Sequence, residues 1–138
     1  MPTIFAKIIN REIPAHIVYE DDLVIAFLDI SQATKGHTLV VSKELSKDIF
    51  ELKPETASHL FMIAQKLSVA IQKAFNVSGL NILSNNGETA GQSVFHFHIH
   101  LIPRYAKGDL SFQLPNNMGS VTFDEYKERA QKIKEALL

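Results

Sequence analysis

The stretch His96-Phe97-His98-Ile99-His100-Leu101-Ile102 alternates imidazoles with apolar side chains. A two-residue period of this kind is the period of a strand, because successive side chains of extended backbone point to opposite faces. It predicts a strand over Phe95–Ile102, ended by Pro103, with His96, His98 and His100 on one face and Phe97, Ile99 and Leu101 turned into a core. A strand needs a sheet, so the rest of the chain has to supply its neighbours.

Those neighbours are legible. Ile17–Glu20 and Leu23–Leu28 are apolar, partly β-branched runs around Asp21-Asp22, the pattern of a hairpin with a tight acidic turn. Thr38–Val41 follows the turn signal Lys35-Gly36 and reads as the next strand. Pro54 opens a helix to about Asn76 in which Leu60, Ala64, Leu67, Ile71 and Ala74 form one apolar face. Leu80–Ser84 is a further strand, joined to the histidine run by a polar, glycine-bearing segment from Asn85 to Ser93. The tail reads as a loop over Ser111–Gly119 and then a helix to about Leu137, with Thr122 and Glu125 placed as a capping box and Tyr126, Ala130, Ile133 and Leu137 as its stripe. The expected fold is α+β, an antiparallel sheet with a long helix packed on it, in one domain over residues 1–138 whose residues 106–138 are a carboxy-terminal loop and helix.

The 138 residues carry a formal net charge of −1, which argues against a broad nucleic-acid or anionic-membrane surface and leaves room only for a local phosphate site. With no cysteine, disulfides and thiolate chemistry are excluded. The start lacks a leader pattern, and the longest apolar run, Leu23–Leu28, is too short to span a bilayer, so the expected setting is cytoplasmic.

Three readings of the histidine row are open. The first is a set of tolerated histidines, against which the sustained alternation argues. The second is a metal site with His37 as an added ligand. His96 and His100, roughly 13 Å apart along a strand rising about 3.3 Å per residue, suit one tetrahedral ion poorly. The third is chemistry at phosphorus, since neutral imidazole is a nucleophile and its phosphoryl adduct hydrolyses in a second step. His98 is central and suits the attacker. Gly91 permits close backbone approach, and Asn85, Gln92 and Ser93 offer neutral donors to oxygens that gain charge.

The run His96–Ile102 resembles the signature of the histidine-triad (HIT) superfamily. Phe5–Pro14 is similar to its amino-terminal segment, Ala26–Ser31 to its ribose-binding segment, Gly36–Val41 to its next strand and Gly91–His96 to the lead into the triad. About the first 105 residues are covered. The resemblance implies a five-stranded antiparallel meander, a homodimer that continues the sheet, and hydrolysis or transfer of nucleoside monophosphates. It implies His98 as the nucleophile forming a nucleotidyl-histidine, His100 on the α-phosphate, His96 orienting the cluster and His37 behind it. It further implies Asp29 on the ribose hydroxyls, Asn85 and Ser93 near phosphate and leaving group, and Phe27, Ile30 and Leu39 around a purine base.

Each of these residues has a plainer reading as well. Asp29 suits a turn cap before Ser31, Phe27, Ile30 and Leu39 suit a core, and Asn85 and Ser93 suit a loop. Many bacterial relatives carry Cys-x-x-Cys near the amino terminus as part of a structural zinc site, where this chain has Thr3-Ile4-Phe5-Ala6. His37 and His96 alone are poor zinc ligands, so no metal and no cofactor are expected. Ser93 before Val94-Phe95-His96 resembles the nucleoside phosphoramidase branch, the ending Ile102-Pro103-Arg104 resembles dinucleoside polyphosphate hydrolases, and the sequence leaves both open. A nucleotide-binding or metal-binding module without turnover is the reading outside enzymes.

Overall fold

A computed structural model describes residues 2–137. Its elements run α1 (Ile4–Ile9), β1 (Ile17–Glu20), β2 (Val24–Leu28), β3 (Thr38–Ser42), α2 (Pro54–Phe75), β4 (Gly79–Leu83), β5 (His98–Arg104) and α3 (Phe123–Ala136), with short 3-10 turns at Glu88–Ala90 and Met118–Ser120. All strand pairs are antiparallel, in the order β1-β2-β3-β5-β4. The first three strands form a meander. The chain then crosses by α2 to the edge strand β4, and β5 fills the place between β3 and β4.

Register sorts the side chains into two faces. Val24, Ala26, Val40, Ile99 and Leu101 bury against Leu60, Ile63, Ala64 and Ile71 of α2. The opposite face carries Ile25, Phe27, Leu39 and Val41, covered in part by Phe5 and Ile8 of α1. On that face Phe27 pairs with Leu39, and Leu39 with His100, while Ile25 pairs with Val41, and Val41 with His98. Two cross-strand rows thus run from apolar side chains to the two histidines, so an apolar floor leads directly to the imidazoles.

α2 starts at Pro54, whose missing N–H costs nothing in a first turn, and stops at Asn76 in the left-handed conformation (φ 53°). Ala74 is exposed, and the half-buried Phe75 takes its expected place against the core. Asp21 closes the hairpin by accepting from the N–H groups of Leu23 and Val24.

Two expectations about the last strand are corrected. It begins at His98 and not at Phe95, because β3 pairs no further than Val41–His98, and the Phe97 N–H is spent on the Ser46 carbonyl at 2.7 Å. It also runs through Pro103 to Arg104. The Pro103 carbonyl accepts from Thr34 Oγ1 at 2.6 Å, so the proline nitrogen on that same side faces the turn beyond the end of β3, where no ladder donor is required. Gly36 lies in that turn with φ +96°, and a Cβ there would meet the Phe75 ring at 2.7 Å.

The capping box of α3 is formed, Thr122 and Glu125 each satisfying the other's backbone N–H. None of the α3 residues is buried, so its apolar stripe faces solvent in the single chain. The tail is fastened at its root by Arg104, which donates to Asp109, to Asn81 and to the carbonyls of Lys107 and Leu110. No helix among the described residues is long and apolar enough to cross a membrane.

Candidate active site

A cavity of about 750 Å³ opens on the sheet face beside α1, and His98, His100, Asp29, Phe27, Ile30, Leu39, Asn85, Gln92 and Ser93 all line it. Its hydrogen bonds determine which ring nitrogens carry protons. The Ala33 N–H donates to His37 Nδ1 at 3.2 Å, so neutral His37 holds its proton on Nε2 and donates to His100 Nδ1 at 2.9 Å. His100 in turn holds its proton on Nε2. His98 Nδ1 lies 2.7 Å from the His96 carbonyl, an acceptor only, so that nitrogen carries the proton and Nε2 keeps its lone pair. Neither Nε2 has a hydrogen-bond partner among the described residues, and no buried side-chain nitrogen or oxygen lacks one, so both reach the open space of the cavity. One imidazole presents a lone pair and its neighbour an N–H, with ring centroids 5.1 Å apart.

His96 stands apart from the other two. It sits in a bend before β5, is 1% exposed and does not line the cavity, so the expected row of three is a pair with a supporting ring behind it. Its Nε2–H donates to the Ser42 carbonyl at 2.6 Å, and its Nδ1 accepts from the Thr3 hydroxyl at 2.8 Å. Phe5 packs edge-on against His98, with centroids 4.9 Å apart at 82°.

Burial pushes His96, His98 and His37 below the ordinary imidazole value, and His100 down to about 4, with the neighbouring His98 and His37 adding to the effect and Asp29 opposing it. All four rings are therefore neutral at pH 7. Asp29 is pushed up by burial, but hydrogen bonds from the Ser31 N–H and hydroxyl, together with the charge that His37 and His100 carry when protonated, outweigh this and hold it below the usual carboxylate range.

Asp29 caps the turn with one carboxylate oxygen, and its other oxygen has no hydrogen-bond partner among the described residues. Oδ1 accepts from the Ser31 N–H and hydroxyl at 2.8 and 2.7 Å, which caps the turn. Oδ2 lies 3.6 Å from His37 Nε2 and 3.9 Å from His100 Nδ1, beyond hydrogen-bond reach. Phe27 and Leu39 belong to the packed floor, whereas Ile30 is 99% exposed at the rim. Among the described residues the Asn85 carboxamide and Ser93 hydroxyl have no hydrogen-bond partner, which leaves them open to a ligand. Gln92 differs. Its amide donates to the Lys47 and Val94 carbonyls and its oxygen accepts from the Gly87 N–H, so it braces the loop.

Asp29, His37 and His100 offer ligand atoms within 4.8 Å of one another. Coordination through His37 Nε2 would require its proton to move to Nδ1, against the Ala33 N–H donor, so the set fits a cation poorly. At the amino terminus no thiolate is present, and the Thr3 hydroxyl is engaged with His96, so this region does not fit a zinc ion either.

The HIT domain family model matches residues 10–107. The chain belongs to the HIT family. It is 56% identical over 106 residues to the protein Hit of Bacillus subtilis, covering 77% of this chain and 73% of that one. A crystal structure of a HIT family protein from Bacillus anthracis superposes with a TM-score of 0.93 at 48% identity, covering 97% of this chain and 96% of the other. A histidine triad nucleotide-binding protein from Candida albicans superposes with a TM-score of 0.87 at 31% identity, covering 98% and 96%. The HIT fold is that of nucleotide-binding hydrolases and transferases.

Several residues that support this site were not singled out from the sequence. Thr3 caps α1, Phe5 lies within it, and Ala33 contributes only a backbone N–H. Gln32, with a left-handed φ of 43°, donates to the Asp29 and His37 carbonyls and accepts from the Gly36 N–H, so it fixes the loop that carries Asp29. Only Gln32 had a local signal, a long amide amid turn residues.

Proposed function

We propose that this protein hydrolyses or transfers a nucleoside monophosphate at the α-phosphorus of a nucleoside phosphoramidate or acyl-adenylate, through a covalent nucleotidyl-histidine on His98. The observation that carries the reading is the His98 Nδ1–H bond to the His96 carbonyl, which leaves the Nε2 lone pair unpaired inside an apolar cavity. In the first step Nε2 bonds to phosphorus as the bond to the leaving group breaks, an amine departing with a proton taken up from water and an acyl group departing as its carboxylate. Positive charge develops on the imidazole, and the His96 carbonyl accepts from the ring position where that charge is shared. The His100 N–H is placed to donate to a phosphoryl oxygen, and Ser93 and Asn85 are the free polar groups for the remaining oxygens and the departing group. Water then attacks the adduct, the P–N bond to Nε2 breaks, and the nucleoside monophosphate leaves with the imidazole neutral again and the proton of the attacking water released to solvent. Phe27, Leu39 and the exposed Ile30 enclose a purine base, and Asp29 Oδ2 accepts from the ribose hydroxyls. Acid quench during turnover, followed by peptide mass analysis, is expected to find a nucleoside monophosphate on the peptide bearing His98. Turnover without any such adduct favours direct attack by water, and binding without turnover favours a nucleotide-binding module.

The charge of the cavity favours a single-phosphate substrate over a dinucleoside polyphosphate. None of its lining residues is Lys or Arg, and Arg104 is committed to the tail. The expected ranking is a higher kcat/KM for a phosphoramidate than for a dinucleoside tetraphosphate, measured side by side.

Burial of the cluster sets the pH dependence. A free imidazole would be half protonated near pH 6.5. The cluster titrates lower, so the acid limb of kcat/KM is expected below 6.5, as a property of the coupled rings. Stability follows the same sign. These rings bind fewer protons folded than unfolded, so their contribution is complete above about pH 6.5 and is lost as pH falls through the folded values. Rates from pH 4.5 to 8 on a substrate of known ionisation, with unfolding midpoints alongside, check both; an acid limb at or above 6.5 contradicts the neutral, buried cluster.

The protein is proposed to act as a homodimer. β4 is an unpaired edge with Ile82 exposed, and Phe123, Ile133 and Leu137 of the tail are exposed as well, surfaces that a second copy would bury. Light scattering is expected to give twice the 15.5 kDa chain mass, and Ile82→Lys is expected to shift the protein toward monomer. A wild-type protein of single-chain mass at micromolar concentration removes this proposal.

A further inference from the structure

The structure assigns Thr3 as a positioning residue for His98, acting through the ring of His96. The assignment rests on His98 being the nucleophile, but its central observable is the protonation of His96, which can be read without turnover.

The chain of contacts joins the residue before α1 to the histidine run. Thr3 is the N-cap of α1, and its Oγ1 accepts from the Ala6 N–H at 3.0 Å. The same oxygen lies 2.8 Å from His96 Nδ1, across 93 residues of sequence. His96 Nε2 faces the Ser42 carbonyl, which only accepts, so Nε2 carries the proton and Nδ1 the lone pair. The Thr3 hydroxyl hydrogen is therefore directed at Nδ1. His96 is almost fully buried, and the observed orientation satisfies both of its ring nitrogens. That orientation fixes the bend whose carbonyl accepts from His98 Nδ1 at 2.7 Å. A helix cap thus reaches the nucleophile in three steps: hydroxyl to His96 ring, ring to bend, and carbonyl to His98.

A structural cap and a positioning donor make different demands at Thr3. A cap needs only an acceptor for the Ala6 N–H, which aspartate supplies as well as threonine. The contact with neutral His96 needs a donor, which a carboxylate is not. An aspartate at this position instead favours the doubly protonated imidazole, and a cation behind the carbonyl weakens its hold on the His98 N–H.

The test compares Thr3→Ser, Thr3→Asp and Thr3→Val in the full chain. The measurements are thermal unfolding, kcat and KM on a nucleoside phosphoramidate, and imidazole ¹⁵N shifts from pH 5 to 8. Thr3→Ser is expected to restore wild-type behaviour because it keeps acceptor and donor. Thr3→Asp is expected to unfold near the wild-type temperature, to protonate His96 at a pH where the wild-type ring is neutral, and to lose about tenfold in kcat with little change in KM, the usual scale for losing a bond one layer behind a reacting group. Thr3→Val is expected to lose stability, to alter the His96 Nδ1 shift and to lower kcat at temperatures where it is fully folded. If the Asp variant does not fold, the Ser and Val pair carries the comparison. Wild-type His96 shifts and kcat in a folded Asp or Val variant overturn the assignment. Absence of a His98 adduct in the wild-type enzyme, with the His96 shifts as expected, overturns the proposed mechanism and leaves the Thr3–His96 coupling in place.

Discussion

His98→Ala is expected to lower kcat by about 10⁴-fold or more while nucleoside monophosphate binding changes by no more than about threefold, because in the proposed mechanism the residue supplies the attacking atom and little of the binding surface. In the proposed binding mode the base lies against Phe27, Leu39 and Ile30 and the sugar against Asp29, all of which line the cavity from β2, β3 and the turn between them. A truncated ring also leaves the His96 carbonyl without its donor, but the volume given up by the His98 ring is continuous with the cavity that ring lines, so water can enter and replace the lost bond. Fold and affinity should therefore survive. Turnover is measured in single-turnover mode to separate chemistry from product release, and binding by titration with a nucleoside monophosphate. The adduct seen on the wild-type peptide should be missing from the variant. Turnover within about tenfold of wild type removes His98 from the nucleophile's role. A loss of affinity as large as the loss of rate would make it a binding residue.

How far the site could be read from sequence divides along the range of the interactions involved. The pairing of His98 with His100 was legible because a two-residue period is local to one strand, and Asp29 and Ser31 were legible because an Asp-x-Ser turn closes over two residues. The exclusion of His96 from the cavity was not, because it depends on where β3 ends and on the Ser46 carbonyl capturing the Phe97 N–H. The same limit hid Thr3 and Phe5, which meet the histidines only through the packing of α1 on the sheet. Pro103 shows the limit in another form. A proline is a sound local signal for the end of a strand, yet here its nitrogen faces a turn where a ladder donor has no partner to meet. The α3 stripe was legible as an amphipathic helix, but periodicity says nothing about what covers it.

Asp29→Asn is expected to raise KM for a ribonucleoside substrate by roughly 10- to 150-fold, about 1.5–3 kcal/mol, and to leave the 2′-deoxy substrate much less affected. The amide is the informative change because the two carboxylate oxygens have separate duties. An oxygen at the Oδ1 position can still accept from the Ser31 N–H and hydroxyl, so the loop that carries the residue should keep its shape. An NH₂ at the Oδ2 position then presents hydrogens to the sugar hydroxyls in place of a charged acceptor. The advantage of the ribose substrate over its deoxy counterpart should therefore collapse, while unfolding temperature changes little. A second signature comes from charge. Asp29 raises the protonation tendency of His37 and His100 against the stronger effect of burial, so its neutralisation should move the acid limb of the rate profile to still lower pH. Both signatures are measured on the same variant, with Asp29→Ala as the comparison that removes the turn contact too. An unchanged ribose-to-deoxyribose ratio in Asp29→Asn, with KM near wild type, would confine Asp29 to its turn and leave recognition of the sugar to other groups of the cavity.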